Sequence, residues 1–235
     1  MTDEVEWWDY DDAEEMAEAV AGDLGFIIGQ ALDDRGNAVI ALAGGKTPLP
    51  IYRELAKQPI DWKKVTIVPG DERLVPLGDP LSNVTAIGKI FLPKGARVIP
   101  LVSDKAPDYK AAGRAADALL QDLHWPLDLC LLGVGADGHA ASIFPGPDYD
   151  EALNGPKERR ALGVMPDPMP AEAAVPRVSL SRAAIVASKA LMIAVTGQAK
   201  RDVIEKAIKQ GASSPYPIGR ILADMELPVD IHWAP

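Results

Sequence analysis

The feature that most constrains this chain is the apolar run Leu129–Leu132, which ends in glycine. Gly133-Val134-Gly135 follow, then Asp137-Gly138-His139, Ser142 and the breaker Phe144-Pro145-Gly146. A short apolar run bounded by turn formers fits a strand buried on both faces. Such strands belong to parallel sheets covered by helices. Reactive groups in those folds stand just past the carboxyl ends of the strands. His139 is therefore the first candidate for chemistry. Its imidazole titrates near neutral pH and accepts a proton from water. Asp137 is spaced to orient the ring and to stabilise its cation. A hydrogen-bonded loop histidine is the bland alternative. One His and one Asp make too few ligands to hold a metal, so no metal site is expected. His124, at a helix end, and His232, in a final strand, read as structural.

The remaining chain repeats the alternation of strand and helix. Residues 13–27 carry apolar side chains at three- and four-residue spacing, with capping-box spacing from Asp11 to Glu14 and Gly36-Asn37 as the stop. Strands are predicted at 38–43, 65–68, 97–101, 177–180, 191–195 and 229–233. Helices are predicted at 48–57, from Ser82-Asn83 to Phe91, at 107–123 and at 198–210. A helical turn at 181–188 and a short helix at 217–223 complete the set. The proline-rich stretch 147–176 yields one strand, 160–164, and otherwise reads as irregular. This pattern predicts an α/β fold, a mainly parallel sheet with helices on both faces.

A length of 235 residues suits a single α/β domain spanning 1–235. The formal net charge of −10 speaks against generic nucleic-acid or anionic-membrane binding. The single cysteine, Cys130, lies in the apolar run; it excludes an intrachain disulfide and reads as a buried thiol. No apolar run approaches the ~20 residues a membrane span needs. The acidic N-terminal stretch lacks the basic and apolar regions of a secretory signal. A cytoplasmic protein is expected.

Two motifs mislead. Gly133, Gly135 and Gly138 match G-x-G-x-x-G after a strand, but Phe144-Pro145-Gly146-Pro147 breaks the chain where a dinucleotide site needs a long helix. No nucleotide site is expected. Gly45-Lys46-Thr47 looks like the end of a Walker A loop, yet Ile40 stands where its first glycine belongs. What remains is a glycine turn, Gly44, Gly45, Lys46 and Thr47, at a helix N-terminus. Free N–H groups and the helix dipole favour an anion there, unless the turn is only a connection. Lys200 and Arg201 sit in the first turn of another helix, where the dipole disfavours cations and a bound anion would offset the cost. A solvated helix face is the competing reading. Arg73 follows Asp71-Glu72, where a surface ion pair is the bland reading, and Arg177 begins a strand.

Five segments in order carry a resemblance. They are ALAGGKTPLPIY (41–52), PGDERLVPLGDPLSNV (69–84), LLGVGADGHAASIFPG (131–146), PRVSLS (176–181) and VTGQAKRDVI (195–204). Together they resemble the 6-phosphogluconolactonase family, within the glucosamine-6-phosphate deaminase-like sugar-phosphate superfamily. The resemblance implies a Rossmann-like α/β fold without a nucleotide site, and cofactor-free, metal-independent hydrolysis of 6-phospho-D-glucono-1,5-lactone to 6-phospho-D-gluconate in the oxidative pentose phosphate pathway. It implies that His139 is the general base, with Asp137 as its partner. Gly44, Gly45, Lys46 and Thr47 match the phosphate loop, and Lys200 and Arg201 the phosphate-binding helix start. Arg73 and Arg177 match arginines of the substrate site, and Asp71 and Asn83 join them as substrate contacts. The expected partner is this small lactone, bound by a monomer or small homo-oligomer.

The chain departs from the patterns of the family it resembles at informative places. The phosphate loop commonly reads S-G-G-S-T-P, whereas here it is Ala43-Gly44-Gly45-Lys46-Thr47-Pro48. A hydroxyl is lost and an ammonium gained. Deaminases of the superfamily carry Glu five residues after the His, where this chain has Phe144, and Asp-Glu-Tyr in place of Asp71-Glu72-Arg73. Without the ring-opening Glu, aldose–ketose chemistry loses a required group. A deaminase/isomerase and a non-catalytic sugar-phosphate-binding module are the alternatives to a lactonase.

Overall fold

A computed structural model describes residues 5–103, 106–223, 225 and 227–235. The first half contains β1 (Val5–Asp9), α1 (Ala13–Arg35), β2 (Ala38–Leu42), α2 (Pro48–Leu55), β3 (Val65–Pro69) and β4 (Asp71–Arg73). Next come α3 (Asn83–Phe91), β5 (Arg97–Val98), α4 (Tyr109–Gln121) and β6 (Leu129–Leu132). The second half continues with α5 (Tyr149–Asn154), β7 (Ala161–Val164), β8 (Arg177–Leu180), α6 (Arg182–Val186) and β9 (Leu191–Thr196). It ends with α7 (Gln198–Gln210), α8 (Pro217–Leu222) and β10 (Val229–Ala234).

The period of two along the central strands divides the core. In β2, Val39 and Ala41 pack into one apolar cluster while Ala38, Ile40 and Leu42 pack into another. In β6, Cys130 and Leu132 go one way and Leu129 and Leu131 the other. Both faces are thus buried, and each wholly buried Leu or Ile contributes roughly 1.5–3 kcal/mol. Side chains of α1, α2 and α3 cover one face, and those of α4 to α8 the other. The sheet has seven strands in the order β1-β10-β9-β6-β2-β3-β5. All its pairings are parallel. This is the α/β architecture the sequence predicts, and no helix among the described residues is long and apolar enough to cross a membrane.

A second sheet was not foreseen. The strands β4, β8 and β7 form an antiparallel three-stranded sheet. It grows directly from the large one, because β3 passes through Gly70 into β4, and the Gly70 carbonyl accepts from Leu180 N at 2.9 Å. Helix α4 lies close enough to β7 that a Cβ on Gly113 would meet Gly163 N at 1.9 Å.

Other differences are local. Asp12, not Asp11, caps α1, accepting from the N–H groups of Glu14 and Glu15 at 2.9 Å each. The Glu15 carboxylate in turn takes the Asp11 N–H at 2.8 Å, so the capping box is displaced by one residue. The strand expected over 97–101 is assigned only at Arg97–Val98. Helix α4 starts later than expected because the Asp108 carboxylate accepts from Ala111 N at 2.7 Å and fixes the N-cap there.

Candidate active site

The carboxyl ends of β2, β3, β6 and β9 open on a cleft of about 250 Å³. Its lining brings together Gly44, Gly45, Lys46, Thr47, Asp71, Arg73, Asn83, His139 and Lys200, although they come from five separate segments. The strand-end rule that singled out His139 places the other groups as well.

His139 is held by a compact turn. Gly135 N donates to the His139 carbonyl at 2.9 Å and Gly138 N to the Gly135 carbonyl at 3.0 Å. Ile218 N, at the start of α8, donates to the Gly138 carbonyl at 2.8 Å and anchors the turn from outside. The His139 ring contacts Asp137 Oδ1 through Nδ1 at 2.5 Å, and its backbone N–H donates to the same oxygen at 3.2 Å. The other face of the ring stacks on Phe144, with centroids 4.1 Å apart. Nδ1 is engaged, so Nε2 is the nitrogen left for substrate chemistry. Burial pushes the Asp137 carboxyl up, but the hydrogen bond and charge of His139 outweigh this and hold it below the usual carboxylate range. Asp137 therefore stays ionised, the state in which it steadies an imidazolium. Gly135 is required by proximity, since a Cβ there would lie 2.3 Å from His139 Nδ1 and Cε1. Ala141, at φ 49°, is a non-glycine residue in the left-handed region on the cleft wall.

The opposite wall is built by β4 and the start of α3. Glu72 is buried and not in a surface ion pair. It accepts from Asn83 N at 2.8 Å, Val84 N at 2.7 Å and Ser82 Oγ at 3.2 Å, and so closes the N-terminus of α3 from within. Burial pushes its carboxyl up, these N–H groups oppose that, and the neighbouring Asp71 charge adds to the rise. Asp71 receives Ser142 Oγ on one oxygen at 2.5 Å and Asn83 Nδ2 on the other at 3.2 Å. Asn83 also accepts from Arg73 Nη1 at 3.0 Å, and Arg73 Nη1 donates to the Leu81 carbonyl at 2.8 Å. Asp71, Arg73 and Asn83 thus form one connected wall. Gly44 packs on it so closely that a Cβ would fall 2.1 Å from Asn83 Oδ1.

One end of the cleft combines the glycine turn with Lys200. Helix α2 begins without a side-chain cap, since Thr47 is itself helical and makes no capping bond, and Pro48 follows it. Lys46 and Lys200 both reach the cleft. Among the described residues neither forms an ion pair.

Two expected site residues stand elsewhere. Arg201 does not line the cleft. Its guanidinium lies 4.8 Å from the Trp7 ring and 4.7 Å from the Trp233 ring, and it pairs with Asp9 at 2.5 Å and Glu205 at 2.8 Å. The reason is geometric: neighbours on a helix point about 100° apart, so Lys200 and Arg201 do not share a face. Arg177 is 3% exposed and lies behind the cleft wall. Its Nη2 donates to the Ala173 carbonyl at 2.9 Å, its guanidinium sits 5.9 Å from the Phe144 ring centroid, and Nε and Nη1 are buried without partners. Glu172, which the sequence reading did not single out, lines the cleft from the irregular stretch before β8.

The other two histidines take no part in the cleft. His232 is buried, receives Tyr10 Oη at Nδ1 at 2.8 Å, and has its pKa lowered by burial to about 4. Among the described residues no three His, Cys, Asp or Glu side chains converge as a metal site.

Comparison with known proteins agrees with this geometry. A family model for glucosamine-6-phosphate isomerases/6-phosphogluconolactonase matches residues 11–233. The chain is 35% identical over 233 residues to a 6-phosphogluconolactonase of Mesorhizobium japonicum, covering 97% of this chain and 95% of the relative. It is 35% identical to a 6-phosphogluconolactonase of Rhizobium meliloti, covering 94% of each chain. A crystal structure of a 6-phosphogluconolactonase from Shewanella baltica superposes with a TM-score of 0.91 at 27% identity, over the full length of both chains. The sequence, the two-sided sheet and the strand-end cleft converge on one conclusion: this chain belongs to the glucosamine-6-phosphate isomerase/6-phosphogluconolactonase family.

Proposed function

We propose that the chain hydrolyses 6-phospho-D-glucono-1,5-lactone to 6-phospho-D-gluconate in the oxidative pentose phosphate pathway, with His139 as general base. The observation that carries this reading is the His139–Asp137 pair facing a cleft lined by a glycine turn, Lys46 and Lys200, with Phe144 where a deaminase has its ring-opening Glu. The 6-phosphogluconolactonases among its relatives support it. Sugar phosphates are charged and do not cross membranes unaided, so a cytoplasmic location goes with this substrate.

The chemistry is modest, because a δ-lactone is an activated ester. The phosphate binds at the uncapped start of α2 and at Lys46 and Lys200, which turns binding into orientation of the ring. His139 Nε2 takes a proton from water as the water oxygen attacks the lactone carbonyl carbon. Asp137 steadies the imidazolium formed. The bond between that carbon and the ring oxygen then breaks, and the imidazolium returns its proton to the departing ring oxygen. The new carboxylic acid releases its proton to solvent. Charge that builds on the carbonyl oxygen falls to backbone N–H groups of the cleft or to Arg73, a contribution of roughly 3 kcal/mol per donor in other hydrolases.

The test uses freshly generated lactone, with spontaneous opening subtracted. Phosphogluconate formation well above background is the expected result. Ammonia and fructose 6-phosphate from glucosamine 6-phosphate would instead assign the deaminase reaction. Binding of sugar phosphates with neither activity would leave a sugar-phosphate-binding module.

A further inference from the structure

One residue of the cleft runs against its character. Glu172 faces a pocket that also holds Lys46, Lys200, Arg73, the glycine turn and one other carboxylate, Asp71. Unlike Asp71, which is engaged by Ser142 and Asn83, Glu172 is exposed. The backbone that carries it is fixed by bonds. The turn that carries it closes through Ala173 N to the Pro170 carbonyl at 3.2 Å and Val175 N to the Ala173 carbonyl at 2.9 Å. Buried Arg177 ties the same turn down by donating to the Ala173 carbonyl at 2.9 Å.

These ties also locate Glu172 within the cleft. Arg177 lies over Phe144, which stacks on His139. Burial pulls the Arg177 pKa down, and the negative charges of Asp71 and Glu172 partly oppose this. Glu172 therefore belongs to the side of the cleft that holds Asp71, Phe144 and His139, where bonds would be made and broken.

The reaction changes the substrate's charge at that end alone. The lactone carbonyl is neutral and the product carries a carboxylate in its place, while the phosphate is common to both. We propose that Glu172 is a specificity-determining residue that repels the product carboxylate, so that the cleft holds the neutral lactone in preference to the acid it becomes. This rests on the lactonase reading above. Two like charges on the order of 6 Å apart, in surroundings of effective dielectric about 40–80, change affinity by roughly three- to tenfold.

Calorimetric binding tests this without turnover. The ligands are 6-phosphogluconate and glucitol 6-phosphate, which shares the open chain and the phosphate but has no carboxylate. Glu172→Gln is expected to bind 6-phosphogluconate roughly three- to tenfold more tightly than the unmodified protein. Glucitol 6-phosphate affinity and the KM for lactone are expected to stay within about twofold, because charge alone has changed. Glu172→Ala should show the same selectivity. An equal gain for both ligands would reduce the residue to a general repeller of anions and overturn the proposal. Weaker binding of both would make Glu172 an acceptor for sugar hydroxyls, and unchanged binding would leave it without a role. A protein that shows the carboxylate-selective gain but does not open fresh lactone would refute the lactonase reading alone.

Discussion

Two regions of this molecule carry dense sets of polar and aromatic side chains, and they leave different amounts of bonding capacity free. The cleft holds His139, Asp137, Asp71, Arg73, Lys46 and Lys200. The belt where the first and last strands meet holds Trp7, Trp8, Tyr10, Asp9, Arg201, His232 and Trp233. In the belt most of these groups bond or stack on one another, although the buried His232 Nε2 has no partner. Arg201 is sandwiched between two indoles and bound to two carboxylates. Trp233 Nε1 donates to the Gly197 carbonyl at 3.1 Å, and Tyr10 caps His232. In the cleft, Lys46 and Lys200 have no ion-pair partner among the described residues, and His139 keeps one ring nitrogen in reserve. Function follows unspent bonding capacity at an accessible place, not the number of polar groups gathered.

The contrast is sharpest for the two histidines. His139→Ala should lower kcat for lactone opening by about 10²–10⁴-fold after background subtraction. The melting temperature should hardly move. Near-normal kcat would remove the base assignment and the comparison with it. His232 should act on stability alone. Its folded pKa of about 4 lies below the ordinary histidine value of 6.5. As pH falls, the unfolded chain therefore takes up the proton first. The contribution is complete above pH 6.5 and is lost progressively down to about pH 4, amounting to about 3 kcal/mol. Urea midpoints measured across this window should flatten in His232→Gln. Asp128 separates from this limb. Burial raises its carboxyl, but Arg35, the Val39 N–H and Lys189 outweigh that and hold it below the usual value. Its contribution disappears only at lower pH, as the medium falls through that depressed pKa.

The two neighbouring cations on α7 give the next test. Lys200→Ala should raise KM roughly tenfold, the scale of a charged hydrogen bond to phosphate, with a smaller change in kcat. Arg201→Ala should leave KM within about twofold and lower stability by about 1–2 kcal/mol as the indole sandwich empties. A KM rise in Arg201→Ala equal to that of Lys200→Ala would return Arg201 to the phosphate site.

What could be read from the sequence was whatever is decided locally. The helix at 198–210 matches α7 end to end, and Ser82 caps α3 as its spacing predicts. The His139 turn and the phosphate turn were visible because glycines and a strand end specify them within a few residues. Three elements escaped. Strand β1, VEWWD, is acidic and aromatic, and it exists because β10 pairs with it. Strand β4 is Asp-Glu-Arg, an unlikely strand by propensity, formed by the ladder that sets Asp71 opposite Ser179 and Arg73 opposite Arg177. Helix α5 is six residues without a side-chain cap. That Arg201 turns away from the cleft was hidden for the same kind of reason, because its partners Trp7 and Asp9 come from the strand that went unseen. Helical geometry alone was enough to warn that it would not point with Lys200. No local signal marked Glu172, which owes its place to a proline-rich turn tied by a buried arginine.

The position of β1 bears on the order in which the chain assembles. Among the described strands its one neighbour is β10, and the bond from Trp8 to Asp230 spans 222 residues of sequence. During synthesis from the N-terminus, an early segment rich in tryptophan must wait unpaired while almost everything else folds. Contacts so distant in sequence close late and slowly. A ribosome-bound chain would therefore be most exposed to wrong partners at Trp7 and Trp8. The acidic residues flanking them, Glu6 and Asp9, then serve as gatekeepers against aggregation until the last strand arrives.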